Sequence, residues 1–336
     1  MVQAYSVERA GGPVVPREVE TRPLGPLEVD VAVTHCGVCR SDITLIDDEY
    51  GYAAFPLVAG HEAVGVVTAI GEAVPEGRLS VGQRVGVGAI AGSCFACEWC
   101  LTGQHGMCPD RDDPVTRGLG GGFAQQIRAG DWRHVPAIPE AISSEHAGPL
   151  LCGGATVFAP LLRYGVKPID RVAVVGIGGL GHLAIQFLAA WGCHVTAISA
   201  TNSKEADTRR LGAHHFINSD SDELEQAKGE FDFILSTVSA DLPWESYLAA
   251  LRPRGIFCSV GVPPSDMSLN SVDLVSRELS VVGAIASSVH VTRQMLDFAA
   301  RHEIRPQIEV FPVNRMDEAL EQVRSNRIRY RAVIEL

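Results

Sequence analysis

Three glycines in the pattern Gly176-x-Gly178-x-x-Gly181 follow an apolar run, Val172–Val175, and open a stretch of helical character. Strand before and helix after is the context in which such glycines matter. They let the backbone approach a pyrophosphate, while the helix N-terminus offers N–H groups and the positive end of its dipole. The alternative is a packing turn in an unrelated α/β protein, and the flanking pattern weighs against it. Downstream the chain alternates. A helix from Gly179 to about Trp191 precedes a strand at His194–Ser199, the spacing of a βαβ unit. Apolar runs at Phe231–Thr237, Ile256–Val260 and Leu279–Gly283, with a helix at Trp244–Leu251, continue it. This alternation predicts a parallel, doubly wound sheet. A helix at Ala147–Tyr164 leads in, so a Rossmann-type nucleotide-binding domain is read over residues 147–287.

Residues 1–146 differ in texture. They are dense in Gly, Pro and short β-branched runs such as Val29–Val33, Ala63–Ile70 and Arg84–Val87, which predicts a mostly β domain. A closing segment, 288–336, reads as helix Val291–His302, strand Ile308–Pro312, helix Asn314–Ser325 and strand Ala332–Leu336. Two domains also suit 336 residues, more than one hydrophobic core usually supports. A formal charge of -12 argues against a nucleic-acid partner, which needs a basic face for phosphates. No apolar run approaches the roughly 20 residues that span a bilayer, so no membrane partner is expected. Met1–Glu20 lacks the basic and apolar regions of a secretory signal. Nine cysteines, an odd number, then point to metal or redox chemistry in a reducing compartment, the cytoplasm, and away from disulfides.

Four of those cysteines, Cys94, Cys97, Cys100 and Cys108, form C-x2-C-x2-C-x7-C in a lobe over residues 92–110. Four thiolates on one loop can surround a tetrahedral Zn2+ and leave no position open, which makes a structural site. An iron–sulfur cluster or chance clustering are the alternatives; the x7 gap and the lack of a Pro-flanked redox context weigh toward zinc. His105 lies inside the lobe and is read as an exposed loop histidine, because four sulfurs already fill the shell.

The other informative residues are scattered: CGVCRSD (Cys36–Asp42), GHE (Gly60–Glu62) and PLLCGG (Pro149–Gly154). Singly each is weak. A His-Glu pair is usually a turn or a surface ion pair, and a lone Cys152 is usually a small buried hydrophobe. Together, Cys, His and Glu can form an open zinc site with an exchangeable position.

The order CGVCRSD, GHE, cysteine lobe, PLLCGG, GIGGLG resembles the zinc-containing medium-chain alcohol dehydrogenases over essentially the whole chain. The segments PLLCGGATVFAPL and VGIGGLGHLAIQFLAAWG are most similar to the cinnamyl alcohol dehydrogenase-like branch. The resemblance implies a GroES-like catalytic domain completed by the C-terminal segment, a Rossmann domain, and an active site in the cleft between them. It assigns the catalytic zinc to Cys39, His61 and Cys152, with Glu62 beside the metal and able to exchange with water. It leaves Cys36 as a packed neighbour and makes Asp42 the acceptor for the His61 imidazole. It implies two zincs per chain, hydride transfer between a nicotinamide coenzyme and an alcohol or aldehyde, Ser41 as proton carrier, and a homodimer pairing at Val281–Ser287.

A carboxylate about 20 residues after the glycine turn would mark NAD. This chain has Ser199-Ala200-Thr201-Asn202-Ser203-Lys204 instead, hydroxyls and a lysine that suit a 2'-phosphate and hence NADP(H), as in the similar branch. Residues expected around the coenzyme are Arg40, Thr156, Gly176, Gly178, Gly179, Leu180, Gly181, Ser199, Thr201, Lys204, Thr237, Val260, Gly261, Ala284 and Arg331. Two positions depart from the branch. Arg40 replaces its usual His, and Thr44 stands where a relay His would pass the proton on; threonine cannot change charge near neutral pH. Proton exchange is therefore expected through water, with alcohol oxidation weaker than aldehyde reduction and improved by Thr44→His. The same departure leaves reduction of an activated C=C or C=N bond as the alternative activity. Tyr50, Tyr52, Phe55, Trp99 and Met107 either border an aromatic-lined pocket for aromatic or medium-chain aldehydes or simply pack their loops.

Overall fold

The computed structural model describes residues 1–116, 120–286 and 288–336. The chain divides into two compact units, Met1–Ala155 with Ser287–Leu336, and Thr156–Ala286.

The first unit is built on a six-stranded sheet. Its order is Ile308–Pro312, Arg331–Glu335, Val29–Val38, Ala63–Ile70, Arg84–Val87, with Gln126–Ala129 also pairing to Val29–Val38. Val29–Val38 is the hub. Val29, Val31, Cys36 and Val38 are almost fully buried, as are Val64, Val67, Val85 and Val87 of its neighbours. Each such aliphatic side chain contributes about 1.5–3 kcal/mol by leaving water. The antiparallel register Ala332↔Val38 and Ile334↔Cys36 brings the last strand alongside the end of the hub, so Arg331 lies level with the start of the CRSD segment.

The second unit holds a parallel six-stranded sheet in the order Ser280–Gly283, Leu251–Ser259, Phe231–Ser236, Arg171–Val175, His194–Ser199, His215–Asn218. This is the doubly wound arrangement expected, and the strand order reverses between Arg171–Val175 and Phe231–Ser236. A ligand of such a sheet binds beyond the carboxyl ends of the strands at that reversal. Gly176 follows one of the two strands and Thr237 the other. Ala173, Val174, Leu183, Phe187, Ile198, Ile234 and Phe257 pack the core around them.

The expected helix Ala147–Tyr164 is broken into three pieces. Helix Ser144–Pro149 gives way to a wide π-type turn, Leu150–Gly154, and then to helix Ala155–Arg163. Pro149 supplies no N–H and Gly153-Gly154 favours no helix, so the tighter ladder lapses there. Ser144–Pro149 packs on Val29–Val38, Ala63–Ile70 and Arg331–Glu335. The division consequently falls at Ala155/Thr156, later than the 146/147 read from the sequence, and Cys152 sits in the first unit. Short helices at Glu205–Arg210, Glu223–Gln226 and Ser271–Ser276 have no counterpart in the sequence reading.

Candidate metal centres and coenzyme turn

The hub strand ends at Val38, and helix Arg40–Ile46 starts after Cys39, whose backbone is extended. Asp42 in the first helical turn is fully buried. Its Oδ2 accepts from the Cys39 N–H at 2.9 Å, and its Oδ1 accepts from the Gly60 N–H at 2.9 Å and from His61 Nδ1 at 2.8 Å. One carboxylate thus ties the CRSD and GHE segments together and fixes the imidazole proton on Nδ1. His61 Nε2 is then left with its lone pair 3.3 Å from Cys152 Sγ, which arrives on the π-type turn. Cys39 Sγ lies 3.9 Å from Cys152 Sγ. The donor atoms of Cys39, His61, Glu62 and Cys152 all fall within 4.8 Å of one another.

These spacings fit zinc. With Zn–S of about 2.3 Å and Zn–N of about 2.0 Å, a tetrahedral ion sets its sulfurs about 3.8 Å apart and sulfur from nitrogen about 3.5 Å. The same donors also shift one another's acidity. The bond from Cys152 holds the Cys39 thiol well below its ordinary range, while the same bond and burial push Cys152 well up. Burial opposes charge on His61, yet Asp42 overcomes it and the net pull is upward. Glu62, fully buried, is pushed up to about 7 by desolvation against the pull of Arg331. Glu62 Oε1 accepts from Arg331 Nη2, while Glu62 Oε2 and Arg331 Nε are buried without a hydrogen-bond partner. Two sulfurs crowded together and an unpaired carboxylate oxygen are donors that a divalent cation satisfies.

The cysteine lobe forms a second donor group. Cys94, Cys97, Cys100 and Cys108 converge, with Cys94 Sγ 3.9 Å from Cys100 Sγ and 3.5 Å from Cys108 Sγ. The Ala96 and Cys97 N–H groups point at Cys94 Sγ at 3.5 and 3.3 Å, and they draw its thiol down to about 6. His105 is not the exposed loop residue expected: it is 8% exposed. Its ring packs 4.9 Å from Phe95 and 5.6 Å from His134, burial that residue spacing does not reveal. Cys36, likewise buried, turns its Sγ to the Gly37 carbonyl at 3.6 Å and stays outside both groups.

In the second unit Gly176 has φ of +84°, which a side chain would strain, and a Cβ on Gly181 would lie 1.9 Å from the Gly176 carbonyl oxygen. A Cβ on Gly178 would meet nothing within 4 Å. Gly178 therefore serves no internal packing and leaves room for a ligand to approach the backbone, the fit a pyrophosphate requires. Thr237 Oγ1 donates to the Gly176 carbonyl at 2.8 Å, and Lys204 Nζ to the Ile177 carbonyl at 2.7 Å, so both brace the turn. Gly179, Leu180, Ser199, Val260 and Gly261 are half-buried nearby in sequence or at strand ends, and Thr201 is exposed. Ala284 is held to the Ser259 carbonyl by its N–H at 3.2 Å, and Thr156 begins this unit half-buried. Two of the expected coenzyme residues belong to the first unit: Arg331 pairs with Glu62, and Arg40 donates to Glu49 at 2.6 Å.

Ser41 Oγ lies 3.9 Å from Cys39 Sγ. Thr44 is buried and donates from Oγ1 to Glu49 Oε2 at 3.0 Å, a contact no motif pointed to. Of the loop aromatics, Phe55 packs on the core. Tyr50 and Tyr52 stack at 5.9 Å while remaining 57% and 58% exposed. Among the described residues no helix is long and apolar enough to cross a membrane.

Residues 25–140 match the model of the alcohol dehydrogenase GroES-like domain and residues 179–301 that of the zinc-binding dehydrogenases. Aldehyde reductase AdhA of Synechocystis sp. is 42% identical over 99% of this chain and 98% of that protein. Among solved structures, a cinnamyl alcohol dehydrogenase of Sorghum bicolor superposes with a TM-score of 0.94 at 35% identity, over 99% of this chain and 97% of that one. The CAD of Helicobacter pylori, complexed with NADP(H), gives a TM-score of 0.91 at 27% identity, again over 99% and 97%. With the donor groups, the glycine turn and the whole length all in agreement, the chain belongs to the zinc-containing medium-chain alcohol dehydrogenases, in the cinnamyl alcohol dehydrogenase-like branch.

Proposed function

We propose that this chain is an NADP(H)-dependent zinc alcohol dehydrogenase that works chiefly as an aldehyde reductase. The observation that carries the reading is the convergence of Cys39, His61 and Cys152, with Asp42 holding His61 so that Nε2 faces the two sulfurs. When bound there, zinc supplies Lewis acidity to a carbonyl or alcohol oxygen. The protein's part is to hold the donors, to keep Glu62 paired with Arg331 beside them, and to give the substrate a proton path at Ser41. The Cys94 group would hold a second, structural zinc.

NADP(H) is favoured over NAD(H) because no carboxylate stands at the end of strand His194–Ser199, where Thr201, Ser203 and Lys204 offer hydroxyls and a cation. Aromatic and medium-chain primary aldehydes are the substrates proposed, in keeping with the names of the Synechocystis and sorghum relatives. We further propose a homodimer joined at strand Ser280–Gly283. It is the edge of the parallel sheet, and Val272, Val275 and Ile285, which flank it in sequence, are 69%, 79% and 48% exposed. Ser287, which closes the segment expected at that edge, lies outside the described residues. The cytoplasm suits a chain whose nine cysteines are all free thiols.

An NADPH-oxidation screen over aldehydes, ketones, enals and quinones tests the reading. Turnover of primary aldehydes to alcohols, lost on removal of zinc, is expected. Reduction of the C=C bond of enals with saturated aldehydes untouched would overturn it.

A further inference from the structure

Helix Gly181–Trp191 is apolar along most of its length, and Leu183, Ala184, Ile185, Phe187 and Leu188 are fully buried. His182, in its first turn, is fully buried too. Burying an imidazole costs free energy unless its nitrogens are hydrogen-bonded, a cost that an apolar side chain would not carry. The ring has such a bond. Its Nδ1 lies 3.0 Å from the Gly178 carbonyl oxygen in the glycine turn. A carbonyl only accepts, so Nδ1 carries the proton and donates. The same oxygen also accepts from the His182 backbone N–H at 3.1 Å.

His182 completes a series. Thr237 Oγ1 donates to the Gly176 carbonyl, Lys204 Nζ to the Ile177 carbonyl and His182 Nδ1 to the Gly178 carbonyl. Three consecutive peptide planes are each held by a side chain from a different segment: the end of strand Phe231–Ser236, the turn Asn202–Lys204 and helix Gly181–Trp191. A trans peptide is planar with its C=O and N–H on opposite sides, so fixing the oxygen fixes the direction of the next residue's N–H. The plane that His182 holds carries the N–H of Gly179. That N–H, with those of Leu180 and Gly181, precedes the first helical bond and has no intrahelical acceptor. The Gly178–Gly179 plane lies between two glycines, the residues whose backbone rotates most freely. One backbone bond at a fraying helix start restrains it weakly, and the imidazole adds the second.

We propose that His182 is a positioning residue for the coenzyme, its Nδ1–H holding the Gly178–Gly179 peptide with the Gly179 N–H turned to the pyrophosphate before the ligand arrives; this rests on the NADP(H) reading above. Affinity is gained because the turn is ordered on folding and not on binding. The pyrophosphate is common to NADP(H) and NAD(H), whereas the 2'-phosphate assigned to Lys204 belongs to NADP(H) alone. His182 therefore sets how tightly either coenzyme is held and has no part in choosing between them.

The zinc-loaded full chain is titrated calorimetrically with NADPH, NADH and adenosine 2'-monophosphate as wild type, His182→Phe and His182→Asn. Phenylalanine keeps the volume of the ring and removes the donor. Asparagine keeps a donor at the place of Nδ1 and gives up the volume. His182→Phe raises the Kd of NADPH and of NADH by the same factor, about tenfold, the size of one hydrogen bond. Its affinity for adenosine 2'-monophosphate, which has the 2'-phosphate and no pyrophosphate, is unchanged. His182→Asn stays close to wild type with all three. Wild-type affinity for NADPH in His182→Phe, an equal loss for adenosine 2'-monophosphate, or weaker binding by His182→Asn than by His182→Phe assigns the ring to packing. Any of these overturns the positioning role and leaves the coenzyme reading intact. A wild type that binds neither NADPH nor NADH overturns both.

Discussion

Arg331, on the last strand, donates to Glu62, the residue after the metal donor His61, and both side chains are buried to within 4%. Removing one partner of such a pair leaves an uncompensated charge, typically at a cost of about 3–5 kcal/mol. Arg331→Met is therefore expected to destabilise the first unit by that order in thermal or urea unfolding, and adding Glu62→Gln should return part of it. Equal stability of Arg331→Met and wild type would show that the pair carries no such weight.

Asp42 acts on the metal through His61. Asp42→Asn keeps the size but removes the charge and one acceptor, so its amide NH2 must face either the Cys39 N–H or the Gly60 N–H with His61 Nδ1, and the hold on the Nδ1 proton weakens. Loss of such a partner typically costs about 10–100-fold in metal affinity, so zinc competition with a chelator should strip one ion from this variant at correspondingly lower chelator concentration. The cysteine lobe should be unaffected, since it shares none of these contacts.

Lys204 braces the glycine turn through the Ile177 carbonyl and is the cation proposed for the 2'-phosphate. Lys204→Ala should raise KM for NADPH by about tenfold, roughly 1.4 kcal/mol, and leave KM for NADH nearly unchanged. Equal changes for both coenzymes would assign the lysine to the turn alone.

His134 is pushed down to about 4, by burial first and by the His105 ring second. Its folded pKa thus lies below the unfolded value, and the unfolded chain binds the extra proton. Stability present above pH about 6.5 is lost as pH falls toward 4, by up to about 3 kcal/mol. His134→Gln should have a shallower fall of Tm over that window than wild type; parallel curves would rule out His134 as the source.

How much of this was legible in the sequence depends on what fixes each feature. The parallel sheet follows from strand–helix alternation, and the Gly176 turn from glycines at positions where no Cβ fits. The donor groups were read because cysteine and histidine chemistry is local to the side chain, although only the resemblance chose Cys39 over Cys36. The structure gives that choice a cause: Cys36 belongs to the buried hub strand, while Cys39 leaves it beside Asp42. The π-type turn at Cys152 was missed because apolar periodicity runs straight through Leu150–Gly154. Glu49 and the burial of His105 were missed because both depend on where a loop returns, which no periodicity encodes.

The central claim is that Cys39, His61 and Cys152 hold one zinc while the Cys94 group holds another. Elemental analysis of purified wild type and His61→Ala tests it most directly. The account predicts two zincs per chain in the wild type and one in the variant. One zinc in both proteins, or two in both, would contradict it.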